Sequence, residues 1–241
     1  MTEKQFKSPL LEGNGARSLT EATYARLRSD ILACVLAPGA RLNVKELSQS
    51  LGSNPAAVRE ALSRLTAEDL VIIEPQKGFL IAPMSIADLT DLTSVRIELD
   101  VNVLRRSIAA GNLEWEARVV ARWHQLSRTP MSTSDAAKKD EWERAHSAFH
   151  QALMSACSST WLVRLRRMLY DQYARYRTLS VSFALADRDL ENEHQALKDA
   201  ALARDVTRAA ELLTAHLQKT ADVVLDTIRR DEAVLAWFAD L

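Results

Sequence analysis

Scarcity is informative in this chain of 241 residues. It has two cysteines, Cys34 and Cys157. They are too few for a disulfide framework and both sit in helical patterns, so a reducing cytoplasm is the expected home. Aromatic residues make up 6%, and glycine and proline number six each. Such poverty excludes a turn-dense β architecture and points to a mainly α protein. No apolar run approaches the length needed to span a bilayer, and no secretory signal opens the chain. Charge of either sign is also missing in excess: 31 Lys and Arg against 32 Asp and Glu leave −1. Charge alone therefore names no partner. The length allows two ordinary domains, each with its own core.

The most legible stretch present is Arg41 to Pro83. Asn43 is placed to cap a short helix running to about Leu51. Asn54 can cap the next helix, with Pro55 at its first position, where a missing N–H costs nothing. In that helix Val58, Ala61, Leu62 and Leu65 fall at i, i+3, i+4 and i+7, so one face packs inward. The opposite face carries Ala56, Arg59, Glu60 and Ser63, small and polar groups that suit a helix laid in a DNA major groove. Val71-Ile72-Ile73 and Phe79-Leu80-Ile81 then read as strands around a hairpin tip, Pro75 to Gly78. Preceded by a helix over Ser18 to Leu36, closed by Pro38-Gly39, the unit is a winged helix-turn-helix. Lys45, Asn54, Arg59 and Lys77 are the candidate DNA contacts. Residues 18–83 hold seven basic and seven acidic side chains. That balance suits two copies acting together better than a single domain, because phosphate neutralisation supplies most non-specific affinity.

The organisation follows: a polar, aperiodic tail over 1–17, expected to be mobile; the winged domain over 18–83; and a helical region over 84–241. Ser85 caps the first of six helical patterns, roughly 86–110, 113–128, 134–157, 159–180, 187–204 and 206–230. Breaks at Gly111-Asn112, Thr129-Pro130, Ser158-Ser159 and Asp205 separate them. Six helices in this length predict an antiparallel bundle. The end of the chain, with Trp237 and Phe238, either packs back or meets a partner.

Histidines mark that bundle. His146 and His150 are one turn apart on a face that continues through Leu153, Met154 and Cys157. His194 shares a stripe with Leu190, Leu197 and Ala201, and His216 with Leu212, Thr220 and Val223. Three helices thus aim imidazoles at a common interior. A single inward histidine is ordinarily a hydrogen-bonded core residue, and burying four without partners is costly. One divalent ion would satisfy all four, and nitrogen ligands suit Zn²⁺ or Ni²⁺. His124 has no such company and reads as an ordinary residue. Arg96 lies in the seam Leu89, Leu92, Leu99, Val103. A buried guanidinium needs an anion: either Asp100, one turn on, or a carboxylate ligand gripped in bidentate fashion. Arg175-Tyr176-Arg177 is a second candidate anion cluster, with the competing expectation that its arginines face water.

Family resemblance adds to this. Tyr24-Ala25-Arg26-Leu27-Arg28, Ile31-Leu32, Pro38-Gly39-Ala40-Arg41-Leu42, Glu46-Leu47-Ser48, Leu51-Gly52, Val58-Arg59-Glu60-Ala61-Leu62 with Leu65, and Lys77-Gly78-Phe79 resemble the N-terminal domain of GntR-type bacterial transcription regulators. Residues 86–230 resemble the FadR C-terminal domain, FCD, an all-helical effector-binding bundle. Phe149-His150, Glu193-His194 and Ala215-His216 stand at that family's metal-binding histidines. At the first ligand position Asp is usual and this chain has His146, which puts its coordination in doubt and makes Glu143 the substitute to watch. Family members often carry Arg where this chain has Pro55, so the operator cannot be carried over. Trp142-Glu143, His146, Ala148-Phe149-His150, Cys157, Ser159, Leu169-Tyr170-Asp171 and Arg175-Tyr176-Arg177 resemble the carbon-starvation-induced repressor (CsiR-like) branch, whose effector is glutarate.

The resemblance implies a homodimeric repressor that reads a palindromic operator in double-stranded DNA. A small carboxylate, a dicarboxylate by preference and an aromatic acid behind it, would bind beside the metal and Arg96. Two rivals stand beside it. A metal-dependent enzyme could use an open metal position to activate water, but the sequence shows no general-base or nucleophile motif. An architectural DNA-binding protein without effector would leave the imidazoles metal-free.

Overall fold

A computed structural model describes residues 13–131, 135–180, 188–230, 232–235 and 238. The chain divides into two compact units, one ending at Met84 and taking in Phe238, the other beginning at Ser85.

The first unit opens with α1 (Gly13–Leu32), then β1 (Arg41–Leu42), α2 (Val44–Ser50), α3 (Pro55–Thr66), β2 (Val71–Glu74) and β3 (Gly78–Ile81). Helix α1 lies further toward the N-terminus than the expected Ser18 to Leu36. It stops because Cys34 takes a left-handed φ of +53°, and the N–H groups of Val35 and Leu36 both turn back to the Asp30 carbonyl. Residues 13–17, expected to be mobile, form its first turns; residues 1–12 of that tail lie outside the described residues. Asn43 caps α2 by accepting from Lys45 and Glu46, and Asn54 caps α3 by accepting from Ala57, with Pro55 in the first turn. Gly52 makes the turn between them at φ +58°, where a side chain would be strained whatever the space around it.

The sheet is antiparallel with order β1-β3-β2. Strand β1 was not anticipated: two residues are too short to carry an alternation. It pairs Arg41 with Leu80, while Val71 pairs with Ile81 across the hairpin. Leu27, Ile31, Val58, Ala61, Leu62, Leu65, Leu70, Val71 and Ile81 form one core beneath the sheet and helices. Removing a side chain such as Leu62 from such a place costs about 2–5 kcal/mol. Phe238 returns to this unit as an isolated bridge with Met84; Trp237 lies outside the described residues.

The second unit is a bundle: α4 (Ile86–Ala110), α5 (Leu113–Arg128), α6 (Ala136–Met154), α7 (Thr160–Ser180), α8 (Leu190–Leu202) and α9 (Val206–Arg230), followed by a single turn, α10 (Glu232–Leu235). Ser85, Asn112, Asp135 and Asp189 cap α4, α5, α6 and α8 with their side chains. Helix α4 packs on α7 and α9, α5 on α6 and α8, and α8 on α9. The core runs through Val103, Leu104, Ile108, Trp115, Val119, Phe149, Leu153, Leu197, Leu213 and Leu217. Among the described residues no helix is long and apolar enough to cross a membrane.

Candidate metal centre and nucleic-acid face

Each histidine reaches the bundle interior because its helix buries the stripe that carries it. On α6, Phe149 and Leu153 are fully buried, and the same face holds His146 and His150. On α8, His194 is buried with Leu197 and Ala201, and on α9 His216 is buried with Leu213 and Leu217. All four imidazoles are brought together: one ring nitrogen from each lies within 4.8 Å of the others. His150 Nε2 stands 3.2 Å from His146 Nε2 and 3.3 Å from His194 Nε2. Tetrahedral ligation with metal–nitrogen bonds of about 2.0–2.1 Å sets ligand nitrogens roughly 3.3 Å apart; the two spacings at His150 match this, and the set as a whole, within 4.8 Å, would draw in around an ion. The donor set is four imidazoles and no carboxylate, which suits a late first-row divalent ion rather than Mg²⁺ or Ca²⁺.

Burial keeps these rings neutral. Desolvation, then the neighbouring imidazoles, pushes the pKa of His146 and His150 well below the ordinary histidine value. Burial also lowers His194 well below that value. His216 is lowered by burial too, against an opposing pull from Glu193. Neutral imidazole is the form that binds metal.

Support around the four rings is uneven. His216 Nδ1 lies 2.9 Å from Glu193 Oε2. The Leu190 carbonyl one turn back favours the proton on His194, against the effect of burial. His146 stacks on Trp142 with ring centroids 4.8 Å apart, yet its buried Nδ1 has no hydrogen-bond partner. Glu143, the expected alternative ligand, is elsewhere: its carboxylate pairs with Arg177 of α7.

Arg96 is buried and pairs with Asp100 at 3.4 Å, the internal pairing that its spacing allowed. Arg166 of α7 reaches the same carboxylate at 3.0 Å. Sequence reasoning missed Arg166, since α7 carries five arginines, some exposed and some buried, and residue type alone does not show which turn inward. Two guanidiniums on one carboxylate leave this triad with an excess positive charge. The Arg96 guanidinium also lies 4.4 Å from the Tyr173 ring centre, and its field reaches both His150 and His216. Arg175 and Tyr176 are buried rather than turned to water. A cavity of about 280 Å³ opens beside His194, walled by Trp123, Leu126, Met131, Trp142 and Arg188.

In the first unit Lys45 on α2, Asn54 at the N-cap of α3, Arg59 on α3, and Lys77 at the hairpin tip are all exposed. Asn54 spends its side-chain oxygen on the α3 cap, which leaves its amide N–H₂ for other contacts. Arg41 pairs with Glu74 at 2.7 Å and reaches the Lys77 carbonyl, tying β1 to the wing.

Comparison with known proteins agrees with this anatomy. Residues 19–81 match the description "Bacterial regulatory proteins, gntR family" and residues 91–219 match "FCD domain". The chain is 44% identical over 210 residues to the HTH-type transcriptional regulator BphR of Paraburkholderia xenovorans LB400, covering 86% of each. It is 38% identical over 203 residues to the HTH-type transcriptional repressor GlaR of Escherichia coli K12, covering 80% of this chain and 90% of that one. E. coli McbR/YncC has a similar fold, with TM-score 0.69 at 19% identity over 86% of this chain and 97% of that one.

Proposed function

The chain belongs to the GntR family of bacterial regulatory proteins, with an FCD domain behind the DNA-binding domain, and from that premise we propose a metal-dependent, carboxylate-responsive repressor. It is a DNA-binding transcriptional regulator and not an enzyme, as are the relatives it matches. Repression is the sense carried by GlaR, a transcriptional repressor by name.

One observation carries the sensing half of this reading: four buried imidazoles whose nitrogens converge at metal-ligand spacing. His146, His150, His194 and His216 hold a divalent ion, Zn²⁺ or Ni²⁺. With four imidazole ligands, the ion would take a carboxylate oxygen as a fifth ligand and act on it as a Lewis acid. Nearby, the Arg96–Asp100–Arg166 triad, with its surplus positive charge, supplies an anion-binding wall. The effector is a small carboxylate, with a dicarboxylate such as glutarate favoured. In the DNA-binding unit Lys45, Asn54, Arg59 and Lys77 contact the operator, α3 lying in the major groove. The protein acts as a homodimer on a palindromic site in the bacterial cytoplasm. Effector binding changes operator affinity only by binding the two states differently.

The test is retardation of the protein's own promoter fragment, titrated with a panel of mono- and dicarboxylates, alongside thermal shift with the same panel. One carboxylate should release the DNA and raise the melting temperature, and both effects should vanish in His150→Ala and Arg96→Ala. A panel that moves neither readout in metal-loaded protein sinks the sensing half and leaves DNA binding standing.

A further inference from the structure

We infer that Glu193 is a positioning residue of the metal centre: it fixes His216 in the tautomer that leaves Nε2 as the metal donor, and Arg188 holds Glu193 in place. The inference rests on the metal reading above and adds a residue to it.

The geometry is specific. Glu193 Oε2 lies 2.9 Å from His216 Nδ1, with the carboxylate 18% and the imidazole 6% exposed. Arg188, just ahead of α8, grips the same carboxylate in bidentate fashion, donating from Nε to Oε1 and from NH2 to Oε2. Its NH2 group donates its second hydrogen to the His216 carbonyl at 2.9 Å, and NH1 donates to Thr220 Oγ1 at 2.9 Å. Lys219 Nζ reaches Oε1 at 3.3 Å.

The proton on His216 then has one place to be. Arg188 NH2 also lies 3.3 Å from Nδ1, but both of its hydrogens are committed to Glu193 Oε2 and the His216 carbonyl. A carboxylate held on both oxygens by a guanidinium is the anion, which can only accept. Nδ1 therefore carries the hydrogen, and Nε2 presents its lone pair. A carboxylate bonded behind a ligating imidazole sets ring orientation and raises its basicity, and losing such support typically weakens metal binding 10–100-fold. Glu193 is not itself a ligand, because both oxygens are occupied by Arg188, His216 and Lys219. The same contacts join the start of α8 to the middle of α9.

The experiment uses the full chain, stripped of metal and titrated with Zn²⁺ against a chromogenic chelator. Glu193→Ala should bind Zn²⁺ about 10–100-fold more weakly, whereas Glu193→Gln, which keeps one acceptor for Nδ1–H, should lose less. In parallel, ¹⁵N NMR of the metal-free wild type should show His216 protonated at Nδ1, a readout independent of how well the variants fold. Wild-type binding with unchanged affinity in Glu193→Ala overturns the positioning role alone, as does an Nε2-protonated His216. A wild type that takes up no Zn²⁺ overturns the metal reading and this inference with it.

Discussion

Four neutral imidazoles packed into one interior have a thermodynamic consequence. Burial, chiefly, depresses the pKa of each below 6.5 in the folded chain. As pH falls below that value, the unfolded chain takes up protons that the folded chain refuses. Stability is therefore present above about pH 6.5 and declines as the solution is acidified. Metal-free protein should show a falling melting temperature from pH 6.5 to pH 5, and saturating Zn²⁺ should raise the curve most at the upper end. A flat profile would mean the rings are solvated. Uneven support makes a second prediction. His146, with no partner for Nδ1, should be the least costly ligand to lose: His146→Ala should retain tighter Zn²⁺ binding in a chelator competition than His150→Ala or His216→Ala. Asp100 supports two buried guanidiniums at 3.4 and 3.0 Å. Asp100→Asn leaves them with an uncharged partner, and breaking a buried pair costs about 3–5 kcal/mol, measurable by urea denaturation of metal-loaded protein.

Elements were the scale at which the sequence spoke most clearly, and for identifiable reasons. The caps at Asn43, Asn54 and Ser85, and the apolar face Val58, Ala61, Leu62, Leu65, are local signals within one turn of each helix. They carry α2, α3 and the start of α4. What stayed hidden needs a neighbour from far along the chain. Strand β1 exists because Arg41 and Leu42 meet β3, and the Arg166–Asp100 and Arg188–Glu193–His216 contacts join different helices. The inward direction of all four histidines was legible because each shares a helix stripe with apolar residues. Their mutual spacing required the packing of α6, α8 and α9. Gly111 illustrates the limit. It reads as a simple break, but a Cβ there would meet the Trp115 ring at 2.4 Å, beside the Arg204 side chain that bonds the Ile108 and Gly111 carbonyls. Gly111→Ala should lower the melting temperature through this junction without changing the Zn²⁺ stoichiometry. In the winged unit, Lys45→Ala and Arg59→Ala should weaken operator retardation. If Lys45 contacts a phosphate, its loss should also shallow the salt dependence by about one ion.

At the scale of the whole molecule, the chain joins a GntR-type DNA-binding unit to a helical bundle with four buried imidazoles at its centre, and the proposed regulation depends on the second altering the first. The near-neutral charge of residues 18–83 means that one DNA-binding unit alone has little electrostatic grip, so operator affinity should fall steeply with dilution as the proposed homodimer dissociates. A gel-retardation series across protein concentration, paired with sedimentation velocity, checks this. The ion itself is the most exposed part of the account. Elemental analysis of purified wild type should return one Zn²⁺ or Ni²⁺ per chain after loading and desalting, and less than a tenth of that in the His150→Ala, His216→Ala double variant. A wild type that retains no metal, or a double variant that retains as much, would contradict it.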